Sequence, residues 1–228
     1  MTRWGLPAAA IGGVVLGALG MLAVGRVSGG TDVRGYLLAH PEVIQEAMQK
    51  LQDRETGKVV AANRDAIVRP YAGAWAGNAR GDVTVVEYFD YNCGYCRASL
   101  PILQQMLERD PGVRLVYREL PILSPESRAA ARISLAAAAA GPARYRAFHA
   151  ALYAAGPVSA ATIAGAARQA GVPAAVPADA DAEIDRNLRM VDTLRLNGTP
   201  SWVIGDRILI GAQPLDALED AIRAARAR

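Results

Sequence analysis

Cysteine, histidine and phenylalanine are scarce in this sequence, two of each in 228 residues, and the basic residues are almost all arginine. With so few cysteines the fold cannot depend on a framework of disulfide staples, and a chain of this length does not need one, because it can bury a sizeable core. The formal charge of +3 is small, and the arginines alternate with Asp and Glu along predicted helices. That pattern marks solvated helical faces and excludes a groove tracking phosphates, so no nucleic-acid partner is expected. Internal repeats are absent, as is any low-complexity tract beyond a general richness in alanine.

Charge is also missing from the beginning of the chain. Arg3 precedes an uncharged apolar run from Leu6 to Gly25, which ends at Arg26. Such a run directs export. Ala23 and Gly25 offer a small-x-small cleavage site, while about 20 apolar residues also suffice to span a bilayer. Residues 1–26 are therefore read as a signal peptide or a membrane anchor held by residues 6–25. Either way the remainder is expected outside the cytoplasm, in the periplasm or cell envelope.

Thr31 or Asp32 can cap a short helix through Leu38, and Pro41 can open a second. The second carries Ile44, Met48, Leu51 and Val59 at helical spacing among Gln, Lys, Arg and Glu, so its apolar stripe must bury against something. Its own domain and a second copy of the chain are both open as partners. Val83 to Phe89 is a β-branched and aromatic run with a buried-strand signature, and Val113 to Leu120 is another. Arg97 to Arg109 reads as the helix between them, with a kink expected at Pro101, so the two strands are expected to be parallel. From about Ser124 to Leu196 the chain is helical throughout, in four stretches divided by Gly and Pro pairs. Strands at Ser201 to Ile204 and Arg207 to Ile210, turning at Gly205-Asp206, and a helix from Pro214 complete an α/β sandwich.

The two cysteines stand three positions apart, as Cys93-Gly94-Tyr95-Cys96, at the junction of the first strand with its helix. A tight pair in an exported protein reads as redox-active or metal-binding before it reads as a staple. Disulfide exchange needs a thiolate that attacks and a second thiol that resolves the mixed disulfide. First-turn amides and the helix dipole stabilise negative charge on Cys93, while Cys96 is shielded one turn inside. Cys93 is thus the expected nucleophile and Cys96 the resolver. Glu87 lies on the strand before them. It is either a solvent-facing carboxylate or, given the apolar Val85, Val86, Tyr88 and Phe89 around it, a buried acid with a raised pKa. Thr199-Pro200 occupies a tight turn before the returning strand, where a cis peptide is plausible.

These residues carry a resemblance. The Gly198-Thr199-Pro200 turn is similar to the cis-proline loop of thioredoxin-fold oxidoreductases, and Asn92 to Cys96 after Val86 to Tyr91 resembles the DsbA-like branch. The resemblance covers roughly Gly81 to the C-terminus. It implies a thioredoxin fold with a helical insertion at about 124–196 inside a domain at 70–228, and an N-terminal helical extension at 31–67. It also implies that Thr199 and Pro200 help dock substrate, that Glu87 assists proton transfer, and that no cofactor is needed beyond the redox-active pair. The Gly94-Tyr95 dipeptide departs from the strongly oxidising Pro-His type. It resembles that of bacterial disulfide isomerases and the ScsC proteins, as does the Tyr36 to Ile44 segment, so an isomerase or mild oxidase is expected. Implied partners are unfolded or misfolded exported proteins, a membrane redox partner for recycling, and a dimer or trimer formed through residues 41–67.

The rival reading is a module in which both thiolates hold Cu(I); no histidine or methionine stands near the pair, and no metal site is assigned. His149 is expected to pack or cap and His40 to lie in a surface loop. Trp75, Tyr91 and Tyr95 are candidates for an apolar substrate groove, of which Tyr95, beside the exposed sulfur, is singled out.

Overall fold

The computed structural model describes residues 32–227. The candidate signal or anchor at 1–26 lies outside the described residues, and so does Thr31. Among the described residues, no helix is long and apolar enough to cross a membrane.

The chain forms two compact units that divide between Lys50 and Leu51. In the first, Asp32 caps helix α1 (Val33–Ala39) by accepting the Gly35 amide at 2.9 Å, and helix α2 (Glu42–Ala62) begins directly after Pro41. Val33, Tyr36, Leu38, Ile44 and Met48 are exposed on these helices. α2 continues into the second unit, where Val60 is buried. The helix that Pro41 opens does not run to the end of the 31–67 extension, because Asn63 interrupts it. Its side-chain amide donates to the Val59 carbonyl at 2.9 Å in competition with the backbone pattern, and α3 (Arg64–Val68) starts afresh.

The second unit is built on a five-stranded sheet in the order β1-β3-β2-β4-β5. Strand β2 (Val83–Phe89) and strand β3 (Val113–Glu119) run parallel, joined by helix α4 (Gly94–Arg109), which continues unbroken through Pro101. Strand β4 (Ser201–Ile204) lies antiparallel beside β2 and turns into β5 (Arg207–Ile210). Gly205 makes that turn at φ 59, where a Cβ would also come within 2.8 Å of the Ala225 side chain. The edge strand β1 (Trp75–Gly77) was not foreseen, since three residues of this composition carry no alternation to detect. Helices α5 (Pro125–Ala139), α6 (Pro142–Ala154), α7 (Ala160–Ala170) and α8 (Ala180–Leu194) fill the chain between β3 and β4, and α9 (Leu215–Arg226) ends it.

Both faces of the sheet are covered, which explains the unbroken apolar run of β2. Val83, Val85 and Phe89 face a core completed by Leu103, Leu152 and Ile222, whereas Val86 and Tyr88 face Ile67, Leu194 and Val203. Glu87 belongs to the first face and lies between Tyr117 of β3 and Trp202 of β4 in the strand register.

The end of β2 is tied down by Asp90. Its buried carboxylate accepts the amides of Asn92 at 2.7 Å and of Ile122 and Leu123 at 2.9 Å, and the Ser127 hydroxyl at 2.6 Å. Asp90→Ala would strand these donors in a place water reaches poorly. The expected outcome is a loss of roughly 2–4 kcal/mol in urea unfolding, with Asp90→Asn losing less.

Candidate functional site

Cys93 is the N-cap of α4, and its extended backbone turns the Sγ toward the start of the helix, where the Cys96 amide reaches it at 3.4 Å. Its own amide donates to the Asp90 carbonyl at 3.0 Å, so the anchored end of β2 sets the position of the cysteine loop. Asn92 steadies the same loop, donating to Ser124 Oγ at 2.7 Å and accepting the Val158 amide at 3.2 Å. Both thiols are free, and relative exposure falls from 5% at Cys93 to 1% at Cys96.

The Thr199-Pro200 turn lies against this helix start. Its peptide bond is cis, and the Cys93 thiol donates to the Thr199 carbonyl at 3.2 Å. The turn is held from behind by backbone, because the Gly211 amide donates to the Pro200 carbonyl at 2.8 Å and the Trp202 indole to the Gly211 carbonyl at 2.9 Å. Residues 106 apart in sequence are thus brought to one point by the β2-β4 pairing.

Glu87 is buried beneath the pair. Burial, and then the charge of Cys93, push its carboxyl up to about 8. The Cys96 thiol is pushed well above the ordinary thiol range, first by burial and then by the carboxylate of Glu87. The solvent-facing alternative for Glu87 is thereby excluded. Tyr95 projects outward, 70% exposed, beside Cys93. At Gly94 a Cβ would meet nothing within 4 Å, so packing does not require glycine there.

Other candidates fall elsewhere. Tyr91 is buried, donating or accepting at Ser134 Oγ at 2.8 Å and at His149 Nδ1 at 3.1 Å, and it lines no groove. His149 packs among Phe89, Tyr117, Tyr145 and Tyr153, and burial lowers its pKa to about 3. His40 is an exposed residue between α1 and α2. Trp75 is half-buried and packs against the core of the second sheet face. Sequence reasoning missed Asp90 and Asn92, as well as the exposed Ile122 and Leu123, whose amides bind Asp90. An Asp closing a strand two residues before a loop Asn was the available signal for the first two.

Comparison with known proteins places this geometry. The DSBA-like thioredoxin domain family matches residues 84–223, and the copper resistance protein ScsC N-terminal domain matches residues 30–56. A thioredoxin-like oxidoreductase from Silicibacter pomeroyi is 40% identical, covering 73% of this chain and 99% of its own, with a TM-score of 0.67. The catalytic domain of Proteus mirabilis ScsC is 28% identical over 75% of this chain and 99% of its own, with a TM-score of 0.71. The thiol-disulfide exchange protein alpha-DsbA2 of Wolbachia pipientis is 26% identical over 76% and 97%, with a TM-score of 0.70. Among curated relatives, the Na(+)/H(+) antiporter NhaA 1 of Salinispora arenicola is 26% identical over 65% of this chain, which spans only 24% of that protein. With Cys93 capping α4 and Cys96 in its first turn, a cis-proline turn against them and a family match over more than half of the sequence, the chain belongs to the DSBA-like thioredoxin domain family.

Proposed function

We propose that the protein catalyses thiol-disulfide exchange on exported proteins, as a disulfide isomerase or mild oxidase, with Cys93 attacking and Cys96 resolving. The observation that carries this reading is Cys93 at the N-cap of α4, donating to Thr199 at 3.2 Å across the cis-proline turn. In the reducing direction the Cys93 thiolate attacks one sulfur of a substrate disulfide and expels the other as a thiolate. Cys96, deprotonated, then attacks Cys93 Sγ, leaving the substrate dithiol and a Cys93-Cys96 disulfide. Oxidation of substrate is the reverse, and isomerisation returns the mixed disulfide to a different substrate thiolate. Tyr95 and the Thr199-Pro200 backbone border the sulfur and would receive the substrate chain. The apolar segment at 6–25 and the periplasmic character of a similar protein from Salmonella enterica favour work outside the cytoplasm. Cu(I) held by the same two thiolates is the secondary reading, prompted by the copper resistance family matched at 30–56. No group of three or more His, Cys, Asp or Glu placed to hold a metal occurs among the described residues.

The reading is tested by equilibrating the protein in glutathione buffers and counting free thiols. A reduction potential near about −120 mV would mark a dedicated oxidant, and about −180 mV or below isomerase or reductase work; failure to form the disulfide reversibly at any poise would sink the enzyme reading. Cys93→Ser is expected to abolish exchange, whereas Cys96→Ser accumulates mixed disulfides visible on non-reducing gels.

Glu87 would take the Cys96 proton and return it, since a pKa of about 8 keeps it able to do both near neutrality. This acid binds its proton more tightly folded than unfolded. Its effect on stability is therefore absent below pH about 4.5, and destabilisation grows as pH rises toward about 8. Glu87→Gln should match wild type at pH 4 and exceed it by roughly 4 kcal/mol at pH 8 in reduced-state urea unfolding; equal stabilities at both pH values would refute the assignment.

Self-association through residues 41–67 is the proposed role of the α2 stripe, supported by the exposure of Ile44, Met48 and Leu51. The double variant Ile44→Lys, Met48→Lys is expected to sediment as a monomer where wild type forms a dimer or trimer. A wild type that is already monomeric would end this proposal.

A further inference from the structure

Five asparagines occur in the sequence, and one of them is held differently from the rest. The side-chain amides of four are engaged. Asn63 donates to the Val59 carbonyl at 2.9 Å, Asn78 to that of Pro111 at 2.9 Å, Asn92 to Ser124 Oγ at 2.7 Å, and Asn187 to the Glu119 carbonyl at 3.1 Å. The fifth, Asn197, is exposed, and its side chain makes no hydrogen bond among the described residues. It is also the one asparagine followed by glycine, since Arg64, Ala79, Cys93 and Leu188 follow the others.

The backbone here is anchored on both sides but not between. α8 ends at Leu194, and behind a left-handed Arg195 the Leu196 amide returns to the Val191 carbonyl at 2.9 Å. On the far side the Ser201 hydroxyl donates to the Gly198 carbonyl at 2.6 Å, and the Gly211 amide to that of Pro200 at 2.8 Å. Among the described residues the Gly198 amide donates to no carbonyl, and neither Asn197 nor Gly198 lies in a helix or strand.

These features favour one intramolecular reaction. An asparagine side chain places its carbonyl carbon within ring-closing reach of the next backbone nitrogen, and glycine opposes the approach least, having no Cβ and the widest backbone freedom. The Gly198 nitrogen bonds to Asn197 Cγ, the Cγ–Nδ2 bond breaks, and the amide proton leaves with Nδ2 as ammonia. Water then opens the resulting succinimide. Attack at the side-chain carbonyl gives aspartate at position 197. Attack at the main-chain carbonyl gives isoaspartate, in which the backbone runs through Cβ and Cγ and is longer by one methylene. No oxidant, reductant or cofactor takes part.

We infer that Asn197 is a site of spontaneous deamidation, and that this modification alters the cis-proline turn facing Cys93. Two residues on, the Thr199 carbonyl accepts the Cys93 thiol at 3.2 Å. A lengthened backbone at position 197 displaces that carbonyl, and either product sets a new carboxylate beside the turn. The chemistry at Asn197 is independent of thiol exchange, whereas its effect on turnover rests on the function proposed above.

The test is to age the purified full chain, reduced, at mildly alkaline pH and to map its peptides by mass. Position 197 is expected to gain the mass of an amide turned acid before any other asparagine does. Asn197→Gln should stay unmodified there. Gly198→Ala keeps the asparagine, and its Cβ would meet nothing within 4 Å on a backbone outside the left-handed region, so it should fold and react several-fold more slowly. Modified and unmodified wild type, separated by ion exchange, are then compared by iodoacetamide alkylation of Cys93 and by disulfide exchange. Alkylation altered several-fold and exchange slowed about tenfold are expected, since ~1 Å of misplacement can cost as much as about a hundredfold in rate. The inference is overturned if position 197 keeps its amide, or if the modified form alkylates and exchanges as the unmodified form does. Fresh protein that alkylates at Cys93 but exchanges no disulfides would count against the proposed function instead, and alkylation would still decide the inference.

Discussion

A single buried carboxylate holds the working end of this molecule together. Asp90 closes β2, and its side chain collects the amides of Asn92, Ile122 and Leu123 and the hydroxyl of Ser127. Its carbonyl accepts the Cys93 amide and the Tyr153 hydroxyl, each at 3.0 Å. The cysteine loop, the segment after β3, and helices α5 and α6 therefore meet on one residue. Several charge-assisted hydrogen bonds converging in a dry place hold that geometry more firmly than apolar packing could, because each depends on direction as well as contact.

Around this anchor the sheet sorts charge by face. On the side of α4, burial keeps Glu87 and Glu119 protonated far above the ordinary carboxylate range and lifts the Cys96 thiol as well. Burial thus favours the neutral form of the acid that lies beside Cys96. On the other side Arg118 is held by the carboxylate of Glu183 and by three backbone carbonyls. Adjacent residues of β2, Glu87 and Tyr88, thus serve opposite environments only because the strand alternates.

The two units differ in how their apolar surface is used. In the second, both sheet faces are covered and most large apolar side chains are buried, with Leu51, Tyr95, Ile122, Leu123 and Ile210 left exposed. In the first, Val33, Tyr36, Leu38, Ile44 and Met48 stay exposed, and among the described residues up to Lys50 none is fully buried. Helices of this kind gain stability mainly from what they pack against, so this end of the chain is where a partner would contribute most.

Local chemistry was readable from the chain. The strand over Val83 to Phe89, the cysteine pair at a helix start, the Gly205 hairpin and the four helices before β4 follow from periodicity and turn residues within short windows. Even the burial of Glu87 was legible, because apolar residues flank it on both sides. What only the tertiary structure decided are relations between distant residues. These include the Cys93 contact with Thr199, the gathering of remote amides on Asp90, the break at Asn63, the short edge strand β1, and the pairing of Tyr88 with Arg118 in the sheet register. Propensity and periodicity act over a few neighbours along the chain, whereas these contacts exist only once strand register and sheet order have set which remote residues share a face.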